Sequence, residues 1–150
     1  MIGFPDTSFL CALYRAQANS ARADHCMARL SGALPVSTLL LLEFRQSVRL
    51  QIRLHLNDRS KGFGQAEGQQ MLNDLQIDLH AGLLATTPVD WPAVHQRAEF
   101  LSSAHTLAAG HRLVDILHVA TALQLGAGEF LTFDANQRKL AEAEGLVVPL

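Results

Sequence analysis

A chain of 150 residues with 49% apolar side chains can bury a sizeable core and is too apolar to be disordered. Its formal net charge of −2 gives it no strong general attraction to nucleic acid. Cys11 and Cys26 have neither metal-ligand spacing nor a disulfide framework around them, which suits a reducing compartment.

Met1–Pro5 reads as a first strand that ends on an acid, Asp6. There is no basic leader before Asp6, so no signal peptide is expected. Thr7 to about Arg15 has a helical pattern. Asn19 or Ser20 is placed to cap a second helix that ends near Ser31–Gly32. Leu34–Val36 is a short strand, and Thr38 to about Leu56 a long helix. Within that helix the apolar run Leu39–Leu42 is far too short to span a bilayer. "NDRSKGFG" (Asn57–Gly64) is a loop by its glycines and polar residues. Gln65 to His80 is helical and is stopped by Gly82; Leu83–Thr86 is a strand. Asp90 caps a helix that tolerates Pro92 in its first turn and ends at Gly110. Leu113–Leu125 is helical, Phe130–Phe133 a strand, Ala135–Glu144 a helix and Leu146–Val148 a last strand. Repeats, low-complexity segments and linkers are missing, so residues 1–150 read as a single domain.

Strands alternating with helices predict an α/β fold with a mainly parallel sheet. The strands are continuous apolar runs, as expected where both faces are covered. Ligands of such sheets sit beyond the carboxyl ends of the strands. Asp6 and Asp134 both stand there, the second in "EFLTFDANQRKLA". The expectation is that the two carboxylates face one crevice.

Two further acids interrupt apolar helical stripes. At roughly 100° per residue, Leu39, Leu40, Leu50 and Leu54 lie on the side of Glu43. Val119 and Ala122 share the face of Asp115, with His118 beside it. A charge on an apolar stripe is costly without compensation. Taken singly, each acid has a structural reading. Asp115 and Asp134 would be helix caps, and Glu43 would meet a buried arginine. Four such acids together favour a site.

The stretches "DTSFL", "LLLLEFRQ", "HRLVDILHVATAL" and "LTFDANQRKLA" occur in an order and spacing that resembles the PIN domain family. In size and layout the chain resembles the VapC-type toxins of bacterial toxin–antitoxin pairs. The resemblance implies a three-layer fold, with a mainly parallel central sheet of four to five short strands flanked by helices. It implies a magnesium- or manganese-dependent endoribonuclease whose acidic residues are Asp6, Glu43, Asp115 and Asp134. Asn136 stands where some members have a further acid, and Pro5 where an ordinary apolar residue is usual. The resemblance also implies a homodimer neutralised by an antitoxin, and a cytoplasmic location is expected. The acidic crevice adds the expectation that the antitoxin places an arginine or lysine near it, because a cation can substitute for the metal's charge.

The residue chemistry agrees. Carboxylates crowded together repel, so at least one pKa should rise in the empty site. Hard oxygen donors without cysteine or paired histidines point to magnesium or manganese rather than zinc. Asp6, Asp115 and Asp134 read as ligands, direct or through water, and Glu43 as a ligand or as the group that polarises the attacking water. The hydroxyls of Thr7, Ser8 and Thr132 read first as capping or turn groups, and second as holding a carboxylate or phosphate. Arg45, Arg49 and Arg53 form a stripe directed largely away from Glu43, which reads as a solvated or subunit-contact face. His118 reads as a polar neighbour of the site, and Trp91 as core. Two other classes remain: a catalytically inactive PIN-fold module that binds RNA or protein, and a receiver-like phosphoacceptor. The second of these would want a paired early acid and a lysine beyond its acceptor strand. The chain has a lone Asp6, and Lys139 falls inside a helix.

Overall fold

The computed structural model describes residues 2–150. Strand β1 (Gly3–Pro5) is followed by helices α1 (Thr7–Tyr14) and α2 (Ser20–Ala28), strand β2 (Leu34–Val36), and helices α3 (Thr38–Asn57) and α4 (Gln65–Ala81). Strand β3 (Leu84–Thr86), helices α5 (Trp91–Ala109) and α6 (Leu113–Gln124), strand β4 (Glu129–Leu131) and helix α7 (Ala135–Ala143) complete the chain. The fold is α/β, and both strand pairs are parallel. It divides into two compact units: the residues up to Phe9 with Thr87–Leu150, and Leu10–Thr86.

In the first unit β1 pairs with β4 in the register Gly3↔Glu129, Phe4↔Phe130 and Pro5↔Leu131. Ile2 accepts from Glu129 N, and Asp6 N donates to the Leu131 carbonyl at 3.0 Å. Residues 2, 4 and 6 therefore face the partner strand with their hydrogen-bonding groups. The nitrogen of Pro5 is turned away from β4, where its missing N–H costs the pair nothing. All three residues of β1 are buried, as a strand covered on both faces requires. Phe4, Phe130, Leu131, Val119, Leu101 and Leu140 form this unit's core.

The first strand was expected over Met1–Pro5; Met1 lies outside the described residues. Strand β4 stops at Leu131 rather than at Phe133. Beyond it Phe133 N turns to Ser8 Oγ at 2.8 Å and Asp134 N to Thr132 Oγ1 at 2.9 Å. Side-chain oxygens thus replace the ladder as acceptors, and the strand ends. The strand expected over Leu146–Val148 is a single parallel bridge from Glu129 to Val147.

In the second unit β2 pairs with β3, Leu34↔Leu84 through Val36↔Thr86. Ser37 caps α3 by accepting from Leu40 N at 3.1 Å. Leu40, Leu41, Phe44 and Val48 bury one stripe of that helix. Leu50 and Leu54, expected on the apolar side of Glu43, are 49% and 43% exposed. The stripe is buried only along the first half of α3. Helix α2 ends at Ala28, ahead of the Ser31–Gly32 boundary that its glycine suggested. Asn19 gives no side-chain cap. Ser20 Oγ instead donates to the Arg15 carbonyl and accepts from Gln17 N, holding the turn before the helix. Tyr14 meets Phe44 edge-on, and its hydroxyl donates to Asp78 at 2.8 Å. Burial first, and then that bond, raise the pKa of the phenol.

Two glycines of this unit have positive φ for different reasons. Gly82 ends α4 at φ 75° with open space around it. Gly62 has φ 58°, and a Cβ there would land on the Gln51 carbonyl of α3. Gly82→Ala should therefore cost about 1 kcal/mol, the left-handed penalty alone. Gly62→Ala should cost at least about twice that, because backbone must also move. Urea unfolding checks both. Equal losses at the two positions would mean that the loop absorbs the side chain freely.

Candidate active site

The carboxylate of Asp6 follows β1 and is fully buried. Its Oδ1 accepts from Ser8 Oγ at 2.6 Å and from Phe9 N at 3.0 Å, so it caps the start of α1. Its Oδ2 accepts from Thr132 Oγ1 at 2.5 Å and from Gln137 Nε2 at 2.8 Å. One donor pair comes from the β1–α1 junction and the other from the β4–α7 junction. Ser8 and Thr132 thus hold a carboxylate, the second of their two expected roles. Their oxygens also stand 3.3 Å apart and accept the backbone N–H groups that end β4.

Asp134 sits at the second junction and is half-buried. Its Oδ1 caps α7, accepting from Asn136 N at 2.8 Å and Gln137 N at 2.9 Å. Capping is therefore real for both acids and uses one oxygen of each. Asn136 contributes its backbone N–H here. The two acids are linked through Thr132, which donates to Asp6 and accepts from Asp134 N. Asp6 itself is closed off from solvent and does not line an open crevice as expected.

Asp115 lies in the first turn of α6, 3% exposed at its side chain. It is not the helix cap: Arg112 holds that position. The arginine grips the acid with a fork, Nε to Oδ2 at 2.9 Å and Nη2 to Oδ1 at 3.1 Å. Asp115 is thus a buried acid with an arginine partner. Asp115 and Asp134 both act electrostatically on His111, and His118 acts on Asp6. Asp6, Asp115 and Asp134 all belong to the first unit, and Thr132 is the hydrogen-bonded link between the first and the last of them. His118 is a buried neighbour of Asp6, as its place beside Asp115 suggested. Glu43 lies half-buried on α3 in the other unit.

The pKa of Asp6 is raised to about 6. A raised acid was expected from crowded carboxylates, but the cause is different. Burial raises it; the hydrogen bonds from Ser8, Thr132 and Phe9 and the field of His118 oppose the rise. His111 is shifted down by burial and by His105, against Asp115 and Asp134.

The oxygen donors fit a hard divalent ion in kind. Asp6, Asp115 and Asp134 supply carboxylates, and Gln137 Oε1 is a buried oxygen without a hydrogen-bond partner. They do not form a ready-made cage. Among the described residues no group of three His, Cys, Asp or Glu stands ready to hold an ion. The four donors on Asp6 and the fork on Asp115 occupy oxygens that an ion would need. Gln137, Arg112 and His111 were not singled out in the sequence. Only the spacing of Arg112, three residues before Asp115 at a helix start, could have signalled one of them.

The model of the PIN domain family matches residues 3–143. Among solved structures the chain is similar to VapC20 of Mycobacterium tuberculosis, described as a sarcin-ricin loop cleaving toxin. That likeness has 20% identity and a TM-score of 0.67, and covers 97% of this chain and 96% of that one. The chain is also similar to FitAcB from Neisseria gonorrhoeae, with 18% identity, a TM-score of 0.61, and coverage of 98% and 96%. At these identities the structural likeness speaks for the fold. No curated protein matches the sequence significantly.

The raised pKa of Asp6 sets a pH dependence. An acid protonated more readily in the folded state adds stability that is fully present below its unfolded pKa, 3.8, and is lost as pH rises through about 6. The shift corresponds to about 3 kcal/mol. Without divalent ions, wild type should lose most of that, roughly 2 kcal/mol, between pH 4 and pH 7 relative to Asp6→Asn. Urea unfolding in EDTA at the two pH values measures it. Parallel pH profiles would show that burial does not govern this carboxylate.

Proposed function

From the premise that this chain belongs to the PIN domain family, we propose that it is a magnesium- or manganese-dependent endoribonuclease, the toxin of a toxin–antitoxin pair. The observation that carries this reading is the joining of two strand-end acids. A buried carboxylate, Asp6, is bound through Thr132 to the junction that presents Asp134. A fold has little reason to keep a carboxylate fully buried at such cost unless its charge is used.

In this proposal Asp6, Asp115 and Asp134 hold the ion, directly or through water. When bound, the ion would supply charge neutralisation at the scissile phosphate and a more acidic water. The chain's own groups set the rest. Ser8, Thr132 and Phe9 N fix the orientation of Asp6. Asp134 is clamped through one oxygen by the N-terminus of α7, which leaves the other for the site. Glu43 enters on its motif alone, as a ligand or as the group that polarises the attacking water. The remaining parts of the proposal are a single PIN domain over residues 1–150, a homodimer, a cytoplasmic location and an antitoxin partner. Among the described residues no helix is long and apolar enough to cross a membrane.

A second reading is favoured by a specific observation. The fork of Arg112 on Asp115 is the kind of compensation that a catalytically inactive PIN-fold binding module would keep. Cleavage decides between them.

Asp134→Asn is the cleanest test, because asparagine caps a helix as well as aspartate does. The variant should melt with wild type in EDTA. It should lose most of the stabilisation given by manganese, which is about 2.7 kcal/mol at one hundred times Kd. Its cleavage of total RNA should fall by roughly a hundredfold or more. Glu43→Gln should lose cleavage to a similar degree. Wild type that cuts no RNA with manganese would favour the inactive module. An Asp134→Asn protein that still cuts would remove Asp134 from the site.

A further inference from the structure

The pair between Arg112 and Asp115 is asymmetric. The acid is 3% exposed and the arginine 71%. A buried anion is thus neutralised by a cation that remains largely in solvent. The guanidinium covers both oxygens of the carboxylate, at 2.9 and 3.1 Å. An arginine at the cap of α6 reaches Asp115 because the two are three residues apart on adjacent turns of chain. It contributes no side-chain cap of its own.

Two consequences follow from this geometry. The pair satisfies Asp115 while the ion is away, since a buried carboxylate without a cation is costly. The pair also occupies the oxygens through which Asp115 would take an ion. A divalent cation and a guanidinium are competitors for the same carboxylate, and the guanidinium, being 71% exposed, is already largely hydrated. Once released, a planar guanidinium at the site's surface has the donor fork that matches a phosphate.

We propose that Arg112 is an exchangeable counter-ion of Asp115. It holds the carboxylate until a divalent ion displaces it, and the freed guanidinium then binds a phosphate of the RNA. This inference rests on the metal-dependent nuclease reading and adds to it a competitor for the ion and a contact for the substrate. Arg112 is a positioning residue in the first state and a substrate-binding residue in the second.

The test uses the full chain as wild type, Arg112→Gln and Arg112→Lys. The first readout is the manganese concentration that gives half of the maximal thermal stabilisation, measured without RNA. Removing the competing charge should lower it by about tenfold in Arg112→Gln, equivalent to about 1.4 kcal/mol. Lysine keeps the charge and loses the fork, so Arg112→Lys should fall between. This variant also keeps the test decisive if Arg112→Gln does not fold. The second readout is cleavage at saturating manganese. KM for RNA should rise several-fold in Arg112→Gln while kcat is retained, with partial rescue by lysine. A half-point in both variants equal to or above that of wild type overturns the exchange. An unchanged KM overturns the phosphate contact. Wild type that shows no response to manganese overturns the nuclease reading and this inference together, an outcome distinct from a wild-type response that the variants share.

Discussion

The first unit depends on one buried carboxylate. Asp6 sits where no water reaches it, and its oxygens are met by four donors. Two of those donors start α1, and two come from the β4–α7 junction. The carboxylate therefore fastens together two strand-to-helix junctions that are more than a hundred residues apart in sequence. Parallel pairing of β1 with β4 brings the junctions side by side, and the hydroxyls of Ser8 and Thr132 close the link. The same hydroxyls accept the N–H groups that end β4. The end of the strand and the hold on the carboxylate thus share the same atoms.

Asp6 and Asp115 are both buried, and their charges are handled in different ways. Around Asp6 the hydrogen-bond donors are neutral, from hydroxyl, amide and backbone, and the field of His118 adds to them, yet the pKa still rises to about 6. Around Asp115 the compensation is ionic and comes from an exposed arginine. Neutral donors fixed in the core are hard to remove, whereas the guanidinium on Asp115 faces solvent. Asp134 follows a third pattern, with one oxygen committed to a helix N-terminus. An ion approaching these acids would thus meet three different resistances. That difference, rather than mutual repulsion of carboxylates, distinguishes the three aspartates.

Much of the fold was legible because its signals are local. Asp90 before Pro92, Gly110 after the α5 pattern and Gly82 after α4 act through neighbouring residues, and each sits where its chemistry placed it. Elements that depend on distant partners were less legible. The last strand shrank to one bridge at Val147, and β4 ended early because Ser8 and Thr132 captured its next N–H groups. The exposure of Leu50 and Leu54 could not be read from periodicity, since the pattern does not say how far along α3 the covering elements extend.

The sequence by itself determined the alternation of strands and helices, the placement of Asp6 and Asp134 at strand ends and the ordered motifs of the PIN family. Those features are written in apolar runs, caps and spacing, which act over a few residues. Only the tertiary structure decided which atoms neutralise each acid. Gln137 reaches Asp6 across 131 positions, and Thr132 reaches it across 126. The rise of the Asp6 pKa by burial was likewise a tertiary outcome, because the degree of desolvation depends on everything packed around the group. Periodicity can say that an acid lies on an apolar face, but the low-dielectric surroundings that set its charge exist only after distant segments have closed over it.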